Sequence, residues 1–140
     1  MGVHEVLGVA VIASSAVAAA WGAWAWSRGE AARGFWYALR AAQAVVVAQA
    51  VVGTALAIGG RHAPAIHYVY GIAPLVVSLV SEGARITVAS AEVAKVDDVE
   101  ALERRERVLM ARRIVIREIG VMTIGTILIV TLGLRALATA

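Results

Sequence analysis

Four apolar stretches, each long enough to cross a lipid bilayer, take up most of this 140-residue chain. The first runs from about Val6 to Trp26 without a charge. The second, about Phe35 to Ile58, is interrupted only by Arg40, Gln43 and Gln49. The third runs from His67 to about Arg85, and the fourth from about Ile114 to Leu137. A spanning helix needs about 20 predominantly apolar residues to cross a hydrocarbon core about 30 Å thick. Inside lipid the backbone must satisfy its own hydrogen bonds, so spans of this length are helices. The sequence therefore predicts an all-α fold: an integral membrane four-helix bundle forming a single domain over residues 1–140. At 61% hydrophobic and 16% charged, against about 25% charged in soluble domains, the chain does not read as a disordered protein, a nucleic-acid-binding module or an ordinary soluble enzyme. With no cysteine, disulfides, thiolate metal sites and a cysteine nucleophile are excluded.

The first stretch invites comparison with a secretory signal, since Ala18-Ala19-Ala20 resembles a cleavage region. A signal has a basic leading segment and a short apolar run. Residues 1–5 contain no Lys or Arg and the run is long, so it is expected to remain as a span.

The basic residues set the orientation. Arg28, Arg33, Arg40, Arg85, Lys95, Arg104, Arg105, Arg107, Arg112, Arg113 and Arg117 fall on one side of a four-span topology, and only Arg61 and Arg135 on the other. Cytoplasmic connections carry the excess of Lys and Arg, so both termini are expected outside the cytoplasm of a multi-pass plasma-membrane protein. Trp21, Trp24, Trp26, Phe35, Trp36 and Tyr37 would then cluster at the inner interface, and Tyr68 and Tyr70 at the outer one.

The connections differ in character. Residues 27–34 are a short polar link, and Gly59-Gly60-Arg61-His62-Ala63-Pro64 is a turn on composition. Residues 86–113 are longer than the roughly 2–8 residues a bundle connection needs. Asp97-Asp98 ahead of Glu100 and Glu103 resembles an acidic helix start. Glu100 with Arg104, and Glu103 with Arg107, are spaced as i,i+4 pairs. The expectation is a cytoplasmic helical hairpin that extends spans three and four and offers a surface to a protein partner.

Three sets of residues carry chemistry. His4, His62 and His67 fall at the outer interface, where imidazoles at one depth can gather a metal or haem iron. His67 leads the segment His67-Tyr68-x-Tyr70-Gly71, which puts His67, Tyr70 and Gly71 on one helical face. A glycine there admits a backbone or a flat ligand. Pro74 lies one turn deeper. The second set is Gln43 and Gln49, six apart and so about 120° apart around a helix. Gln49, nearer mid-membrane, is the better candidate ligand. The third set is ionisable. Glu82 lies 15 residues past His67, about 22 Å along a helix, and Arg40 five residues past Phe35. Both then sit about 8 Å from the inner edge of the hydrocarbon core. Their equal depths predict an intramembrane Arg40–Glu82 ion pair with Arg85, Arg117 and Glu118 close by. No Gly-rich phosphate loop, G-x-S-x-G or H-E-x-x-H occurs, so no catalytic residue is assigned.

Gln49-x-x-x-Gly53, Gly59-Gly60, Pro64 and His67-Tyr68-x-Tyr70-Gly71, with Phe35-Trp36 and Arg40-x-x-Gln43, resemble the middle of small four-span membrane proteins of high-GC bacteria. The same turn and His-led helix are similar to one four-helix half of haem A synthase and to b-type cytochrome bundles. That resemblance, over roughly residues 35–82, implies that His67 ligates haem b. No second histidine lies deep in another span, so His4 or a second protomer would supply the other axial ligand. Three functions stand as expectations. The first is a non-enzymatic accessory, assembly or scaffold component, in the lipid bilayer and as a homo-oligomer. The second is a haem- or quinone-binding redox protein with a site at His67, Tyr70, Gly71, Gln49 and His4. The third is a small transporter using Glu82 and Arg40. Nucleic acid is not an expected partner.

Overall fold

A computed structural model describes residues 2–61 and 63–138. It is all-helical: α1 (Val3–Arg28), α2 (Arg33–Ile58), α3 (Ala65–Val93) and α4 (Arg104–Ala138). All four are long and apolar enough to cross a membrane. Successive helices run antiparallel, so the start of α1 meets the end of α2 and the start of α3: His4 lies beside Gln49, Gly53 and His67. Around the bundle the order is α2, α1, α4, α3, and the seam where α3 returns to α2 is the most loosely packed.

Small residues allow the closest approach. Along α1, Val11, Ser15, Ala18, Ala19, Gly22 and Ala25 are buried. A Cβ at Gly22 would collide with the Thr123 hydroxyl and the Phe35 ring. Small residues let the helix backbones approach closely, and van der Waals contact between them supplies packing energy. The interior divides into layers. At one end Phe35, Leu39, Ala25, Ile119 and Met122 form a dense cluster. Nearer the histidines, Val11, Val46 and Ile129 form a second, with Leu75 and Val77 packed against it. Between them lie the buried hydroxyls of Ser15, Ser78, Ser81, Thr123 and Thr126.

Helix ends follow local chemistry. Gly29 closes α1 in the left-handed conformation at φ 62°, which glycine adopts without the steric cost of a Cβ. Pro64 opens α3, and its carbonyl accepts from the His67 N–H at 2.9 Å. Helix α3 continues through the buried Pro74.

The structure corrects the sequence reading at several points. Helices α3 and α4 do extend beyond their apolar stretches, but the expected helix start at Asp97-Asp98 is absent. Residues 94–103 form turns, and α4 begins at Arg104. The Asp98 carboxylate accepts from the Glu100 and Ala101 N–H groups at 2.9 and 3.3 Å. A short acceptor that bonds its own downstream backbone competes with helix formation. The cap moves to Glu103, whose N–H donates to the Glu106 carboxylate three residues on, half of a capping box. Glu100 therefore lies outside the helix and has no i,i+4 helical relation to Arg104, and Glu103 stands at the boundary. Phe35 is also misplaced by an interfacial assignment: it is fully buried, whereas Trp21, Trp24, Trp26 and Tyr37 are exposed. Gly22 across the interface leaves the space its ring fills.

Candidate ligand site at the histidine end

His4, in the first turn of α1, and His67, in the first turn of α3, point their Nε2 atoms at each other across 3.4 Å. Their rings are 5.7 Å apart between centroids and inclined at 56°. Gln49 of α2 joins them, with its amide nitrogen 3.5 Å from His4 Nε2. Gly53, one turn along α2, makes room for the His4 ring, since a Cβ there would stand 3.2 Å from its Cε1. Gly71 faces open space on α3. His62 lies outside the described residues.

Two clefts flank this pair. One, of about 450 Å³, reaches Gly53, Ala57, Arg61 and Tyr68. The other, of about 390 Å³, reaches Gly8, Tyr70, Pro74 and Gly133. His4, Glu5, Gln49, His67 and Gly71 line both. The walls are mostly apolar, with a few convergent polar groups, the usual make-up of a ligand site. Two of those groups are incomplete: His4 Nδ1 and Gln49 Oε1 are buried without a hydrogen-bond partner. An unpaired buried polar atom costs about 1–3 kcal/mol, a cost that a ligand or ordered water removes. Tyr68 holds the adjoining turn, its hydroxyl accepting from the Ala63 N–H and donating to the Arg61 carbonyl.

The second set of candidates gathers some fifteen residues further along α3, about 22 Å away. Arg40 and Glu82 form an ion pair at 2.5 Å. Gln43 completes a triangle, accepting from Arg40 at 2.6 Å and donating to Glu82 at 2.8 Å and to Ser78 at 3.2 Å. Arg85 takes the other Glu82 oxygen at 3.0 Å, reaches Glu118 at 3.3 Å and lies over the Trp36 ring at 5.4 Å. Two arginines face two carboxylates, so the network is electrically balanced. It spans the loose α2–α3 seam and ties it to α4. Gln43 and Gln49 thus serve separate clusters. Arg117, expected beside Glu82, turns instead to Glu92 at 2.6 Å. It is one residue and so about 100° of helix away from Glu118.

Sequence reasoning missed Glu92 altogether. It is buried and surrounded by Lys95, Arg113 and Arg117. Its i,i+3 spacing to Lys95 was the only local signal; the two arginines arrive from α4. The role of Gly53 under the His4 ring was also invisible without the α1–α2 register.

The histidine pair can be tested against the groups such residues hold. Metal–imidazole bonds of about 2.0–2.1 Å put two trans nitrogens about 4 Å apart, so a separation of 3.4 Å needs an opening of only about 0.7 Å. A closed metal site needs more protein ligands. Among the described residues no cluster of three or more His, Cys, Asp or Glu side chains stands ready to hold a metal ion. The residues available to hold such a group are the two opposed imidazoles, with apolar clefts beside them and glycines on the facing helices. No family model matches the chain, and no curated protein or solved structure matches it.

Proposed function

We propose that this chain is a four-span plasma-membrane protein, with both termini outside the cytoplasm, that holds haem b between His4 and His67. The observation that carries the reading is the pair of imidazole Nε2 atoms opposed at 3.4 Å between two clefts. It favours the redox reading over a docking component, whose proposed surface is the charged helical hairpin that extends α3 and α4. The resemblance to b-type cytochrome bundles implies the same role for His67.

In this reading His4 and His67 are the residues that would hold the iron, through Nε2. Gln49 orients the His4 ring, and Gly53 and Gly71 keep bulk away from the two faces. The chemistry that a haem held by two histidines would supply there is one-electron transfer. The mostly apolar walls would tune its potential through the local dielectric. The Arg40–Glu82 pair then lies within the membrane, neutral as a unit, where lone charges are costly, and acts as a brace between α2 and α3.

The test is an absorption spectrum of protein purified in mild detergent from a haem-producing host, oxidised and then reduced with dithionite. A Soret band that shifts on reduction, and is lost in His67→Ala and in His4→Ala, is the expected result. A flat visible spectrum at near-stoichiometric sensitivity sinks the haem assignment. The absence of native cysteine makes single-cysteine labelling a clean check of which side each terminus occupies.

A further inference from the structure

Glu92, near the end of α3, is the most buried carboxylate among the described residues, at 4% exposed. Three cations converge on it. Lys95 Nζ and Arg117 Nη1 each reach Oε1 at 2.6 Å, and Arg113 Nε stands 3.9 Å from Oε2. Arg113 and Arg117 are one turn apart on α4, while Lys95 follows the end of α3. Nearby carboxylates do not balance the group. Glu118 is engaged by Arg85, and Glu82 by Arg40 and Arg85. On the neighbouring face Arg112 donates to the Gly29 carbonyl at 3.0 Å, which adds a further cation without an acid.

The cluster thus carries one negative charge against three positive ones. Its cations are held from behind by Glu92, yet their side chains are 59, 58 and 55% exposed. Their remaining N–H donors point outward as a preorganised anion receptor. Arginine in particular matches the oxygens of a phosphate in a fork geometry. Depth identifies the source of that phosphate. Glu92 lies ten residues past Glu82, about 15 Å along α3. With Glu82 about 8 Å inside the hydrocarbon edge, Glu92 falls about 7 Å beyond it, within the headgroup layer.

We propose that Lys95, Arg113 and Arg117, clamped by Glu92, bind the phosphate of an anionic phospholipid in the cytoplasmic leaflet. This rests on the membrane placement above but not on haem. Basic pockets at the cytoplasmic ends of spanning helices suit such headgroups.

The experiment uses the full chain in a neutral detergent and follows its thermal midpoint by circular dichroism as lipid is added. Phosphatidylglycerol is expected to raise the midpoint by about 5 °C or more at roughly 100-fold above its dissociation constant, and phosphatidylcholine to leave it unchanged. Arg113→Gln is the informative variant, because Glu92 keeps its two short partners, Lys95 and Arg117. It should fold with a near-native midpoint in phosphatidylcholine and lose most of the phosphatidylglycerol shift. Equal shifts from both lipids, or an undiminished shift in Arg113→Gln and in Lys95→Gln, overturn the site. The same shift from inorganic phosphate overturns the lipid as occupant, and so does a shift given only by an acidic peptide. Carbonate washing of native membranes separates the two levels. Protein released by the wash removes the membrane placement and this site together. Protein that stays in the pellet but shows no phosphatidylglycerol preference removes the site alone.

Discussion

The two ends of the bundle solve opposite problems. At the histidine end polar atoms are left over: His4 Nδ1 and Gln49 Oε1 have no hydrogen-bond partner, and clefts lie on both sides of the His4–His67 contact. At the arginine end Glu82, Glu92 and Glu118 each meet at least one cation, over a dense layer of Phe35, Leu39, Ile119 and Met122. An interior that leaves polar atoms unmet beside open space is prepared for something else to meet them. The arginine end also keeps the Thr123 hydroxyl buried without a partner, but no cleft opens beside it, and its carboxylates are held by cations.

Substitutions can break that division. Phe35→Ala should be the most damaging change to stability, about 3–5 kcal/mol, because a fully buried ring leaves a cavity that its neighbours fill only in part;. Unfolding in a denaturing detergent titration reads it, and a loss below about 1 kcal/mol would deny that this layer is the rigid one. Next comes Glu82→Gln, which leaves Arg40 and Arg85 without their shared carboxylate. The pair is partly exposed, so the cost falls between surface and buried values, about 1–3 kcal/mol. The α2–α3 seam should exchange amide hydrogens faster, while any visible spectrum is retained. Gly22→Leu forces α1 away from Thr123 and Phe35 and should cost about 1–3 kcal/mol by overpacking.

His67→Ala sharpens the contrast from the other side. It should abolish the visible absorption, yet leave the ligand-free bundle within about 0.5 kcal/mol of the parent, since exposed positions contribute little;. A large loss of ligand-free stability would make the pair structural. The smallest expected effect is at Asp98→Ala. It removes two hydrogen bonds from an exposed turn and should cost about 0.5–1.5 kcal/mol, with no change in spectrum.

What the sequence made legible depended on range. Four apolar helices follow from length and hydropathy, because each span satisfies its own backbone. The meeting of Arg40 with Glu82 follows from arithmetic along two helices, since depth along an axis is a one-dimensional quantity. The gathering of three cations on Glu92 was not legible. It depends on the rotational register of α3 against α4, which composition does not encode. The start of α4 was misread because the acidic run at residues 97–103 suits either a helix cap or a turn. Asp98 chose the turn by bonding the backbone two and three residues ahead. Phe35 was assigned to the interface by the company of its tryptophans, although the space opened by Gly22 on another helix decided its burial.

The layer of Val11, Val46 and Ile129, with Leu75 and Val77 around it, lies between the histidine clefts and the buried hydroxyls of Ser15, Ser78 and Ser81. It is an apolar partition across the middle of the molecule. The crevice beneath it holds about 10 Å³, room for about one water. A polar path through the middle of the bundle would therefore have to open this apolar layer.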